Sequence, residues 1–168
     1  MIAFRDAEAA DAQLISHIFA TSWRRAYRGI VPQHYLDRLP EDYWVPSVRS
    51  WLESGRFSAL MIYDGKRPVG CCIYGRGRDE GHEDWGEIVS LYLLPESTRQ
   101  GFGHAALEEA LSRMRHEGYK RFYLWALEHN HAADSFYRRE GFKPTTDQGS
   151  FPIGGQTIHE RRYVKVED

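Results

Sequence analysis

At 168 residues, with a net charge of −2, an isoelectric point near 6.4 and two cysteines, the chain has the length of one domain with a substantial core. That charge balance offers nucleic acid no general attraction, no apolar run is long enough to cross a membrane as a helix, and residues 1–6 do not read as a secretory signal. Cys71 and Cys72 are adjacent and should face opposite sides of a strand, so they read as small packing residues without a disulfide, in keeping with a cytoplasmic location.

Residues 2–5 read as an opening strand. Leu14, Ile15, Ile18, Phe19, Trp23, Ala26 and Tyr27 recur at helical spacing and predict an amphipathic helix over 11–27. Pro32 opens a shorter helix ending before Pro40, and 41–53 reads as a third. Runs at 59–63 and 69–74 flank Asp64-Gly65-Lys66-Arg67-Pro68, a hairpin turn. A polar loop over 75–84, rich in both charges, precedes a strand beginning at Trp85. Pro95 to Gln100 then lead through Gly101-Phe102-Gly103 into an amphipathic helix over 104–117. The aromatic run 122–127 reads as a buried strand, 132–139 as a short helix, and Gly154-Gly155 as the turn between strands at 143–151 and 156–166. The order describes one mixed α/β domain spanning 1–168.

The most informative stretch is the strand, loop and glycine pair from Trp85 to Gly103. Glycines before a helix let backbone N–H groups approach a ligand closely, and the helix N-terminus favours negative charge, so this is a place for a phosphate or diphosphate. A P-loop is excluded because neither Gly-Lys-Ser nor Gly-Lys-Thr occurs in the chain. Gly101-Phe102-Gly103-His104-Ala105-Ala106 does satisfy Gly-x-Gly-x-x-Ala, with Glu128 after the next strand. In a dinucleotide fold, however, the glycines follow the strand at once and strand–helix units repeat, which is not the pattern here.

Pro95-Glu96-Ser97-Thr98-Arg99-Gln100-Gly101-Phe102-Gly103 resembles the diphosphate loop of the GCN5-related N-acetyltransferase (GNAT) superfamily, Gln/Arg-x-x-Gly-x-Gly/Ala, with Thr98 in place of the first Gln or Arg. A second stretch, from Asn130 through Ala132-Ala133 and Phe136-Tyr137 to Gly141-Phe142, resembles the superfamily's downstream signature. The resemblance implies a mostly antiparallel central sheet with one splayed parallel strand pair, and helices on both faces. It further implies acetyl-CoA as co-substrate and an amine on a small molecule or peptide as acceptor. By position, main-chain groups of Leu91, Tyr92 and Leu93 would meet the thioester and pantetheine arm, their side chains serving as core. The N–H groups of Thr98, Arg99, Gln100, Gly101, Phe102, Gly103 and His104 would meet the diphosphate. Asn130 would contact the coenzyme arm or cap its helix, and Tyr137 would protonate the leaving thiolate.

Acetyl transfer also needs a neutral amine, yet an alkyl amine with a pKa of about 10 is roughly one part in a thousand neutral at pH 7. A positioned carboxylate can take that proton. Glu87, on the predicted central strand and matching a catalytic Glu of some superfamily members, fits that role; the alternative is a Glu exposed or paired with Arg76 or Arg78 across the sheet. The first helices line the acceptor pocket in the superfamily, which nominates Trp23, Tyr27 and Tyr35 as substrate contacts. The eight histidines show no zinc-like arrangement, and Asp79, Glu80, Glu83 and Asp84 read as a solvated loop. The expected partners are therefore an amine and acetyl-CoA, with no metal, nucleic acid or membrane, in a monomer or homodimer. A non-catalytic acyl-CoA sensor on the same fold is the alternative function.

Overall fold

The computed structural model describes residues 1–168. Its elements are β1 (Ile2–Asp6), α1 (Ala12–Ala26), α2 (Gln33–Asp37), α3 (Val45–Ser54), β2 (Ser58–Asp64), β3 (Arg67–Arg76), β4 (Gly86–Leu93), α4 (Phe102–His116), β5 (Arg121–Leu127), α5 (His131–Arg139), β6 (Lys143–Ile153) and β7 (Gln156–Val166). All seven strands join one sheet in the order β1-β2-β3-β4-β5-β7-β6. Every neighbouring pair is antiparallel except β4 with β5.

Alternation along the strands builds two apolar layers. On one face Leu60, Cys72, Ile88, Phe122 and Leu124 pack with Leu107, Ala110, Leu111 and Met114 of α4. On the other, Ala59, Met61, Cys71 and Ile73 lie beneath Ile15, Ile18 and Phe19 of α1 and Val48 of α3. Cys71 and Cys72 are both buried, free and in opposite layers, as period-two alternation requires.

The helix boundaries differ from the periodicity in instructive ways. The third helix starts at Val45, because Pro46 fits the first turn, where its missing N–H costs nothing, and residues before it form a turn. Gly55, at φ 71°, ends that helix in the left-handed conformation that glycine adopts without strain. The second helix is only five residues long. No helix is long and apolar enough to cross a membrane.

One local irregularity organises the rest of the molecule. Ile73 pairs with Ser90 and Tyr74 with Ile88, so Val89 is left as a bulge in β4. On the other edge of β4, parallel pairing with β5 lasts for Gly86↔Phe122, Glu87↔Tyr123 and Ile88↔Leu124, then stops. Beyond that point β4 and β5 diverge and leave a fork in the middle of the sheet.

Candidate active site

The fork exposes the backbone of β4 without an edge partner. Ser22 Oγ donates to the Leu93 carbonyl at 2.8 Å, which places that carbonyl on the open side of β4. Backbone groups alternate in direction along an antiparallel strand, so Leu91 also presents its N–H and C=O to the fork while those of Tyr92 turn to β3. Ser90 Oγ, next to the bulge, is buried with no hydrogen-bond partner. Of the three residues nominated from the sequence, Leu91 and Leu93 thus offer main chain.

Above the fork, a 3-10 turn at Pro95–Ser97 leads into the loop before α4. The Thr98 N–H and hydroxyl both bond to the Pro95 carbonyl, at 3.4 and 3.0 Å, and the Gln100 side chain bonds to the Glu96 carbonyl at 2.9 Å. These side chains shape the loop. From Arg99 to His104, by contrast, no backbone N–H donates to any group of the protein; the first helical bond is from Ala105 to Gly101, at 3.1 Å. Six consecutive unpaired donors at the start of a 15-residue helix form a cradle for an anion. Gly101 is bent to φ 89°, and even Arg99, which has a Cβ, is held at φ 61°. A Cβ on Gly103 would come 3.4 Å from the Phe136 ring, so the glycine lets α4 sit close against α5. The His104 ring bonds Glu140 of the α5 cap through Nδ1 at 2.7 Å, which ties the first turn of α4 to the end of α5.

α5 brings the second motif to the same place. Asn130 caps it, accepting from the Ala133 N–H at 3.2 Å, while its side-chain amide donates to nothing in the protein. Tyr137 packs edge-on against Phe136 and Phe142, and its hydroxyl makes no hydrogen bond. Burial, with smaller contributions from nearby Cys72 and Tyr92, pushes its phenol well above the ordinary value and keeps the proton on.

Glu87 is 1% exposed and fully engaged. Its Oε1 accepts from the Arg78 N–H at 3.0 Å, Arg78 Nε at 3.1 Å and the Tyr123 hydroxyl at 3.0 Å, while Oε2 takes Arg78 Nη2 at 2.6 Å. Of the two readings the sequence allowed, the geometry is that of the carboxylate paired with Arg78. The pair locks the β3–β4 loop onto the sheet. Asp79 is also no solvated loop residue: it accepts from Trp125 Nε1 at 2.7 Å and from Arg162 at 3.0 Å.

Comparison with known proteins settles what carries this geometry. The Acetyltransferase (GNAT) family profile matches residues 18–142. The chain belongs to the GNAT family. An uncharacterized N-acetyltransferase of Bacillus subtilis, YuaI, is 31% identical over 164 residues, covering 95% of this chain and 90% of that protein. A spermidine N(1)-acetyltransferase of Thermoplasma acidophilum is 25% identical over 163 residues, 96% and 98% of the two chains. Among solved structures, the PaiA N-acetyltransferase of Thermoplasma acidophilum in complex with coenzyme A shares the fold at a TM-score of 0.76, with 23% identity over 97% of this chain and 99% of that one. The protein is thus an acetyl-CoA-dependent N-acetyltransferase.

In this GNAT enzyme the aromatic residues nominated from the first helices fall on one side of the fork. Trp23 and Tyr27 meet edge-on at 4.8 Å, and both reach the hydroxyl of Tyr92: Trp23 Nε1 donates at 3.1 Å, and the Tyr27 hydroxyl lies 2.9 Å away. The Tyr92 side chain is therefore part of a hydroxyl cluster, a correction to its expected role as plain core. The Val89 bulge is the reason, since it shifts the alternation and brings Tyr92 to the α1 face. Tyr35 borders the same cluster from α2. It sits beside the tip of the closing hairpin, where a Cβ on Gly154 would meet Tyr35 Cβ at 3.2 Å. The hydroxyl cluster had no local sequence signal, and the pairing of Glu87 with Arg78, one of the two readings the sequence allowed, was selected only by the folded β3–β4 loop.

Proposed function

We propose that this enzyme acetylates a primary amine by direct attack on the thioester of acetyl-CoA bound along the fork. The observation that carries this reading is the run of unpaired N–H groups from Arg99 to His104 beside a strand whose outer edge has no partner. Acetyl-CoA supplies the acetyl group as an activated thioester. The N–H groups at the start of α4 would hold its diphosphate, with Arg99 as an exposed counter-charge, and the edge groups of Leu91 and Leu93 would align its arm. Negative charge developing on the carbonyl oxygen is stabilised by a backbone N–H at the fork. Tyr137 gives its proton to the departing sulfur, a role that its apolar surroundings and unshared hydroxyl support. Glu87 in this reading contributes through Arg78, by holding the β3–β4 loop against the sheet, with both oxygens engaged in hydrogen bonds inside the protein.

Trp23, Tyr27, Tyr92 and Tyr35 form the acceptor's wall, where aromatic faces suit a cationic amine. A relative that acts on spermidine puts aliphatic polyamines first among acceptors to try. The free thiols of Cys71 and Cys72 suit the reducing cytoplasm. Calorimetric titration with acetyl-CoA, followed by a panel of amines with detection of released thiol, tests the reading. Binding without turnover on any amine would favour a sensor on the same fold.

A further inference from the structure

The Glu87 carboxylate is occupied, yet the acceptor arrives as an ammonium ion and has to lose a proton. We propose that Glu160 on β7 binds the acceptor's ammonium group and accepts that proton. This rests on the acetyltransferase reading above.

Three observations point to Glu160. First, it stands beyond the fork point, opposite Leu127, three residues past the last β4–β5 pair at Leu124. Ile158, Glu160 and Arg162 alternate onto one face of β7. Ile158 packs there with Tyr27 and Leu127 beside Trp23 and Tyr92, and Arg162 lies 4.6 Å over the Trp125 ring. Glu160 is thus seated between the aromatic wall and the Asp79–Arg162 pair. Secondly, the carboxylate has room built around it. Gly149 is its partner on β6, and a Cβ there would come 2.9 Å from Glu160 Oε1.

Thirdly, it has no partner where its neighbours all do. Glu87 is held by Arg78, Asp79 by Trp125 and Arg162, Asp147 by Arg162, and Glu128 by Arg161 and Gln148. Glu160 is partly buried and makes no hydrogen bond or ion pair. Its oxygens keep contact with solvent, so an ammonium group can reach them and find a carboxylate that no cation of the protein already holds. The groups facing it are Asp79 and Arg78 of the β3–β4 loop, Glu87 and Tyr92 of β4, and Tyr27 of α1. Burial, then Asp79 and Glu87 against the opposing Arg78, raise its carboxyl above the ordinary value.

The exchange balances. The ammonium passes one proton to the carboxylate, giving neutral amine and a neutral carboxyl. The amine nitrogen forms the C–N bond, the C–S bond breaks, and Tyr137 supplies the thiolate's proton. The second proton shed by nitrogen restores the Tyr137 phenol through solvent, and Glu160 returns its own to water. A carboxylate with aromatic faces beside it selects a cationic amine over an alcohol of the same shape.

The test uses the CoA-loaded protein titrated calorimetrically with n-butylammonium, with 1-butanol as the uncharged control, for wild type, E160Q and E160D. Wild type should prefer the ammonium, and E160Q should weaken that binding by about tenfold or more, the size of one charge-assisted hydrogen bond. E160Q should leave CoA and 1-butanol binding unchanged, and E160D should recover part of the ammonium affinity. With n-butylamine as acceptor, E160Q should lose about 10²-fold in kcat/KM at pH 7, and that deficit should shrink as pH rises towards the amine pKa of about 10. Wild-type ammonium binding in E160Q, or no preference over 1-butanol in wild type, overturns the assignment to Glu160 while CoA binding preserves the acetyltransferase reading. Failure of wild type to bind CoA overturns both.

Discussion

Replacing Glu87 with Gln separates a buried structural pair from a catalytic base. The amide keeps the shape and can still accept from the Arg78 N–H and Tyr123 hydroxyl. Its NH2 group, however, would face Arg78 Nη2, which now sits 2.6 Å from Oε2, so a charge-assisted bond becomes a donor–donor contact. Removing one partner of a buried ion pair costs about 3–5 kcal/mol. Arg78 is 43% exposed, so water recovers part of the loss, and about 2–3 kcal/mol is expected here. For a chain of this length that lowers Tm by about 5–10 °C. The measurements are urea and thermal unfolding of both proteins, with kcat/KM profiled against pH at 25 °C. Lower stability, with a profile parallel to wild type and an activity loss well short of the ~10²-fold typical of a missing base, is the expected result. Unchanged stability together with a loss of ~10²-fold that recovers in alkali would refute the structural assignment and make Glu87 the base.

Three further outcomes follow from the same geometry. Gly103→Val should weaken CoA binding by calorimetry while the fold survives, because the side chain enters the cradle and presses on Phe136, 3.4 Å from the new Cβ; wild-type affinity would move the diphosphate elsewhere. Tyr137→Phe should lower kcat by about 10- to 10²-fold at every pH, with CoA affinity unchanged, since alkali cannot restore a missing proton donor; recovery at high pH would point to another acid. Burial opposes ionisation of Asp79, but the Trp125 N–H and Arg162 outweigh it and hold the carboxyl below its ordinary value. Its stabilisation is therefore present above the unfolded pKa of about 3.9 and lost as pH falls through the lower folded value. Asp79→Asn should destabilise the protein at pH 7 with a deficit that shrinks below about pH 4, and a deficit independent of pH would reject the ionic contribution.

Local sequence carried the element order, the two glycines before α4 and the downstream Asn130 to Phe142 motif, because each depends on short-range constraints. A helical repeat of Ile15, Ile18 and Phe19 needs only a face to bury, and Gly101 needs only a left-handed φ. The alternation of Cys71 and Cys72 into opposite layers follows from strand geometry alone. What one strand meets in its neighbour is a different matter. The Val89 bulge, invisible in the apolar run of β4, turned Tyr92 towards Trp23 and Tyr27, and it coincides with the end of β4–β5 pairing. Glu87 could have been a base or half of an ion pair until register set it beside Tyr123 and folded Arg78 over it. Glu160 reads in the sequence as one more charge among His159, Arg161 and Arg162. Only the closing hairpin, by setting it opposite Leu127 and over Gly149 with its neighbours already paired, left its carboxylate free at the fork. Short-range sterics and periodicity are written residue by residue; partnership between charges 9 to 83 positions apart, as in Arg78–Glu87 and Asp79–Arg162, exists only once the sheet has closed.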